Sequence, residues 1–291
     1  MSRLVYDRQT GKVFNETSYA EKGLNFLYGN LIGRILLKTI YARPWYSRAK
    51  AIHYNSTLSA RKTTKFINKY VVDINQFEDR PYHTFNDFFT RKFKSGARSV
   101  DPNPQNLIAV ADSRLLALDI NQDSQIDIKQ SKYTISELLG GDDLADDYAD
   151  GICLVFRLAL EDCHRYFHFD SGRVKRTNQI KGLLHAVRPL PGKITRAYAE
   201  NSREYSELVT DNFGPVVMIE VGAMEVGKIY NHPKKGFNRG QEKGYFGLGG
   251  STCVLLLKKG AAVIDKDIVK NSLKGVETKV RMGERIGTAN V

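Results

Sequence analysis

Between Tyr245 and Leu257 the chain reads Tyr-Phe-Gly-Leu-Gly-Gly-Ser-Thr-Cys-Val-Leu-Leu-Leu, and this run constrains the fold more than any other. Gly249 and Gly250 permit backbone conformations that a Cβ forbids, so the chain can turn sharply there. Residues 252–257 are apolar and β-prone, which predicts a rigid, buried strand. Where bend meets strand, the Ser251 hydroxyl can approach the Gly250 carbonyl. The residues alone leave two readings open. One is an ordinary glycine turn into a core strand; the other is a serine nucleophile held against the amide that precedes it.

Short apolar or alternating runs at 107–110, 115–120, 152–158, 216–221 and 254–257, broken by Gly, Asp and Asn, predict strands. Residues 134–139 before Gly140-Gly141 predict a short helix with a glycine stop. The acidic stretch 142–150 and the polar stretch 234–243 read as surface loops, the latter as mobile. Apart from that short helix, helical texture is confined to the N-terminal part. Leu24, Leu27, Tyr28, Leu31 and Ile35 recur at helical spacing, and Arg43-Pro44 predicts that helix's end. Residues 58–72 predict a second, basic helix. The expected fold is α+β: a helical region over 1–80 on a strand-rich, β-sandwich or barrel-like core over 81–291.

Charge is placed unevenly. Residues 1–100 hold 18 Lys/Arg and 7 Asp/Glu, against 26 and 25 in the rest. Such asymmetry suggests an anionic partner, although a solvated basic face explains charge alone equally well. Trp45 and Tyr46 beside basic residues favour a membrane interface, and neither helix-turn-helix spacing nor an RNA-binding aromatic signature is present. No run of 18 apolar residues exists and the first 18 residues do not resemble a secretory signal, so the expectation is a peripheral protein. Cys153, Cys163 and Cys253 show no spacing for zinc or a disulfide framework, which fits a reducing compartment. No metal cluster is expected.

Six segments resemble, in chain order, the phosphatidylserine decarboxylase proenzymes. Gly249-Gly-Ser-Thr252 resembles the family's processing site, and Phe85-Asn-Asp-Phe-Phe-Thr-Arg-Lys-Phe-Lys-Ser-Gly-Ala-Arg98 its Phe-Phe-x-Arg entry segment. Ala111-Asp112 resembles its Ala-Asp-Gly turn, and Asp162-Cys-His-Arg-Tyr166 its Asp-Tyr-His-Arg motif. Phe213-Gly-Pro215 and Val221-Gly-Ala-Met-Glu-Val-Gly-Lys-Ile229 resemble its core strands.

The resemblance implies self-cleavage. Ser251 is the implied nucleophile, His164 its base and Asp112 the carboxylate that orients the base, in the logic of a serine protease triad. Attack on Gly250 yields chains 1–250 and 251–291, held as a heterodimer. Residue 251 becomes a covalent pyruvoyl cofactor, with no metal needed. Its ketone forms a Schiff base with the amine of phosphatidylserine, and carbon dioxide leaves. The implied setting is the cytoplasmic side of the cell membrane, on an anionic surface, with a higher oligomer left open and no nucleic acid partner.

Two other histidines are candidates on the substrate side. Many relatives read His-Arg-x-His, whereas this chain reads His164-Arg-Tyr-Phe-His168, which offsets His168 by one residue. His185 lies in Gly182-Leu-Leu-His-Ala-Val-Arg-Pro189. Two further functions remain as alternatives: a Ser-His-Asp lipid ester hydrolase, for which the chain lacks a Gly-x-Ser-x-Gly elbow, and a non-catalytic lipid-binding protein.

Overall fold

The computed structural model describes residues 3–16, 23, 26–27, 29–128, 131–185, 197–223, 228–248 and 251–290. Gly249 and Gly250 of the expected cleavage site, the helix positions Leu24 and Tyr28, and residues 224–227 of the core-strand motif lie outside the described residues.

Five neighbouring strands carry the centre of a ten-stranded sheet: Arg203–Thr210, Gly214–Val221, Ser251–Leu257, Ile152–Leu158 and Ser113–Asp119, in that order and all antiparallel. All but Arg203–Thr210 carry nearly continuous apolar runs, because both sheet faces are covered. Leu154, Phe156, Val216, Met218 and Leu255 face one core, and Cys153, Val155, Val217, Ile219 and Val254 face the other. Every strand expected from sequence coincides with an observed one.

Beyond this centre the sheet runs out to Gly172–Ile180 and Gly236–Phe237 on one side. On the other it runs through Glu277–Val280 and Arg3–Asp7 to Lys12–Glu16. The two end strands do not pair with each other, so the large sheet is open and the barrel-like expectation gives way to a layered one. Two three-stranded sheets supply the facing layer: Leu107, Ile108 and Ile286 from one, and Tyr166 and Phe246 from the other, join the first core. The fold class is α+β, dominated by strand.

The N-terminal part is not wholly helical. Arg3–Asp7 runs parallel to Glu277–Val280, and Lys12–Glu16 closes that edge. Short helices follow. Leu31–Leu36 continues as a π-turn over Leu37–Tyr41, and Pro44 stands in the first turn of the helix Pro44–Tyr54. Proline therefore ends one helix and begins the next, since its missing N–H costs nothing in a first turn. The helix Arg61–Tyr70 matches the second basic helix.

Both expected loops carry structure. Within 142–150, Asp143–Tyr148 is a 3-10 helix that buries Ala145 and Tyr148. Within 234–243, Gly236–Phe237 is a sheet strand and Lys243 is buried in Glu242–Phe246. The expected short helix is Ile135–Leu139, closed by Thr134 in a capping box and by Gly140 at φ 72°.

Candidate active site

Three neighbouring strands bring the expected site segments to one end of the large sheet. Arg114 pairs with Arg157, and Arg157 pairs with Thr252, so these residues share one row across the sheet. One residue further towards the edge, Ser251 pairs with Leu158. Asp112 lies just beyond the strand Ser113–Asp119 at the same end. Its strand is two inter-strand spacings from that of Ser251, roughly 9–10 Å.

The turn that leaves Leu158 carries His164. Asp162 closes it: its backbone N–H donates to the Ala159 carbonyl at 3.1 Å, and its carboxylate accepts the Ala159 N–H at 2.7 Å. The Phe246 N–H donates to the His164 carbonyl at 2.9 Å. Only residues 247–250 then separate Phe246 from Ser251. The strand start at Ser251 is thus tied to the His164 segment twice, by short tethers through Leu158 and Phe246.

The His164 side chain is fully buried, with its ring centroid 4.1 Å from that of Phe89. Its Nδ1 lies 3.1 Å from the Asp162 carbonyl oxygen. A carbonyl only accepts, so Nδ1 carries the proton and Nε2 is the basic nitrogen.

Asp112 is held firmly. Arg98 donates from Nε at 2.9 Å and from Nη2 at 2.5 Å, and the Met282 N–H donates at 2.9 Å. Among the described residues, these are the donors its carboxylate uses. Burial is what chiefly raises the pKa of Asp162 and Cys163 in the His164 segment, and the Asp112 charge adds to both shifts. The structure therefore places Asp112 beside the turn that bears His164, with Arg98 as its direct partner.

The other two histidines are each held by their own neighbours. His168 stacks on Phe237 with centroids 3.9 Å apart and planes 6° from parallel. Burial, then Lys243 and Lys234, push its pKa down to about 3, so it is neutral. His185 is buried beside Glu200, its Nε2 3.3 Å from the carboxylate, and its backbone is clasped by Asn201. The Leu184 N–H donates to the Ala42 carbonyl, which sets this segment under the N-terminal helices. Burial lowers the His185 pKa, Glu200 opposes that and Lys38 adds to it.

The charged groups around Asp162 carry no sequence signal of their own. Asp162 is pushed up to about 6 by burial, against the pull of Arg114, which it contacts directly. Arg114 also pairs with Glu16 and Glu161, and Arg157 pairs with Glu16 and Glu277. This network ties the N-terminal strand Lys12–Glu16 to the row below Ser251. Periodicity could not reveal it, because its members are up to 261 positions apart in the chain. Among the described residues no cluster of His, Cys, Asp and Glu is arranged to hold a metal ion.

A buried imidazole with a fixed tautomer, beside a carboxyl of raised pKa, is the equipment of an acid–base enzyme. Comparison with known proteins specifies which. The phosphatidylserine decarboxylase family profile matches residues 85–288. The chain is 44% identical over 290 residues to phosphatidylserine decarboxylase proenzyme 2 of Clostridium acetobutylicum, covering 100% of both chains. It is 40% identical over 290 residues to the phosphatidylserine decarboxylase proenzyme of Clostridium tetani, covering 97% of each. To that of Ruminiclostridium cellulolyticum it is 39% identical over 289 residues, covering 97% of this chain and 96% of the relative. The chain belongs to the phosphatidylserine decarboxylase family. It is accordingly an enzyme, a carboxy-lyase of phospholipid biosynthesis.

Proposed function

We propose that this chain matures by cutting itself between Gly250 and Ser251 and then decarboxylates phosphatidylserine to phosphatidylethanolamine at a membrane surface. The observation that carries the reading is the double tether of Ser251 to the His164 segment, through Leu158 and through Phe246. In the first step His164 Nε2 takes the Ser251 hydroxyl proton as Oγ bonds to the Gly250 carbonyl carbon. The Gly250–Ser251 C–N bond breaks, leaving an ester and a free amine. Loss of the Ser251 α-proton then expels the Gly250 carboxylate. Water replaces the remaining nitrogen at residue 251 as ammonia, which leaves a pyruvoyl group. Asp112 supports the imidazole electrostatically, and Arg98 keeps that carboxylate in place.

The donor set suits such a group: strand pairing fixes residue 251, and the neighbouring acid–base groups are buried organic side chains. The pyruvoyl ketone supplies an electron sink for an amine-bearing carboxylate substrate. His164 holds the proton that the α-carbon needs, and the burial of its pocket excludes bulk water.

The membrane reading is supported by the N-terminal helices. Leu31, Ile32, Ile35, Trp45, Ile52 and Leu58 are all more than half exposed, among Arg34, Lys38, Lys50, Arg61 and Lys62. No helix of the described residues is long and apolar enough to cross a membrane. An apolar face with a basic margin lies on an anionic bilayer, and this one approaches the cytoplasmic leaflet.

A carbonyl reagent tests the chemistry. Phenylhydrazine is expected to abolish carbon dioxide release from phosphatidylserine vesicles. Full activity after exhaustive phenylhydrazine treatment is the result that sinks the pyruvoyl reading.

A further inference from the structure

The segment 88–91 plays no part in the chemistry described above, yet it grips the chain on both sides of His164. The Phe89 ring packs on the imidazole. The Thr90 carbonyl accepts from Arg165 Nη2 at 2.6 Å and from Arg165 Nε at 3.1 Å. The Arg91 carbonyl accepts from Arg165 Nε at 3.1 Å and from the Cys163 thiol at 3.5 Å. The Arg91 guanidinium reaches the other side of the turn, donating from Nη2 to the Glu161 carbonyl at 2.6 Å and the Asp162 carbonyl at 3.2 Å. Residues 161, 162, 163 and 165 are all held by 90–91, and His164 sits between them.

Arg91 is an expensive way to achieve this. It is fully buried and, among the described residues, forms no ion pair with a carboxylate. Its charge is met by carbonyl dipoles and by the faces of Phe77 and Phe88, whose centroids lie 4.4 Å and 4.7 Å from the guanidinium carbon. Burying a cation without a counter-ion is unfavourable unless hydrogen bonds and π faces offset it, and an apolar side chain would fill the same space at lower cost. What an apolar side chain could not do is share the Asp162 carbonyl with His164. That oxygen accepts from both Arg91 Nη2 and His164 Nδ1, one for each lone pair.

We infer that Arg91 is a positioning residue for self-cleavage: it fixes the Asp162 carbonyl, and through it the ring orientation and tautomer of His164. The inference rests on the reading of His164 as the base. It gives the Phe-Phe-Thr-Arg segment a function at the site that its sequence does not disclose.

Two read-outs in the full chain test it. In a Ser251→Ala background, which keeps the chain intact, nitrogen-15 NMR of labelled histidine reports the His164 tautomer directly. Nδ1–H is expected, with a shift to mixed tautomers when Arg91→Met is added. A time course of self-cleavage is the second read-out. Arg91→Met and Arg91→Lys are each expected to slow it about a hundredfold, the usual effect of ångström-scale misplacement. Lysine keeps a cation near Phe77 and Phe88, but its shorter stem leaves the ammonium short of the position from which Arg91 Nη2 reaches both the Glu161 and Asp162 carbonyls, so it carries the test even where methionine impairs folding. His164→Ala in the same time course separates the two layers. If it cleaves like wild type, the base assignment falls and this inference with it. If it is inert while Arg91→Lys cleaves at the wild-type rate with the tautomer unmoved, the Arg91 inference alone is overturned.

Discussion

Lys243 Nζ and Glu220 Oε1 close an ion pair at 2.9 Å across the interface between the large sheet and a small one, with Glu220 fully buried and Lys243 nearly so. Asn231 completes the group, accepting from Lys243 at 3.0 Å and from the Tyr166 hydroxyl at 3.0 Å, and donating to Glu220 at 3.0 Å. Glu220 pairs with Cys253, two residues into the strand that Ser251 begins. Lys243 lies on the strand that ends at Phe246, just before the cleavage connection. The pair therefore joins the strand that precedes residues 247–250 to the strand that pairs with the one that follows them.

Removing one partner leaves the other charge buried alone. Lys243→Met is expected to cost about 3–5 kcal/mol of unfolding free energy, because Glu220 then has no cation. Adding Glu220→Gln should recover most of that loss. Urea unfolding of the two variants checks this, and a double variant no more stable than the single one would show that the pair is not the source.

The stack of His168 on Phe237 makes stability depend on pH. The folded-state pKa, about 3, lies below the unfolded value of about 6.5. Between those values the unfolded chain binds a proton at His168 that the folded chain does not, so stability falls as pH drops through 6.5 and goes on falling towards 3. From pH 7.5 to pH 5 the loss from this residue is about 2 kcal/mol. His168→Phe should remove that part of the acid limb. The check is denaturant unfolding at the two pH values, and an unchanged difference in the variant would refute the assignment.

The exposed aliphatic face of the N-terminal helices should govern attachment and leave processing alone. Ile32→Asp with Trp45→Ser is expected to reduce binding to anionic vesicles at least tenfold. Cleavage between Gly250 and Ser251 should keep its rate. Vesicle co-sedimentation beside a gel of the same preparations measures both, and binding equal to wild type would remove this face from the membrane account.

Sequence legibility followed how locally each feature is encoded. The strands Ile152–Leu158 and Ser251–Leu257 were legible because both faces are buried and the run is apolar throughout. The turn bearing His164 was legible only as a motif. Lys243 was not, because a lysine in a polar stretch looks solvated until Glu220, 23 residues earlier, is folded against it. The strands Arg3–Asp7 and Lys12–Glu16 were missed for a similar reason: they are short and polar, and the pairing that orders them lies beyond residue 276. Arg91 carried the family signature without its meaning, since its partners are backbone carbonyls about 70 residues away, which leave no trace in side-chain patterns.

Intact-mass spectrometry of freshly expressed wild type beside Ser251→Ala tests the central claim most directly. The account predicts that wild type splits into chains 1–250 and 251–291, the smaller one blocked by a pyruvoyl group, while the variant stays whole. A single unmodified chain in wild type that nevertheless decarboxylates phosphatidylserine would contradict it.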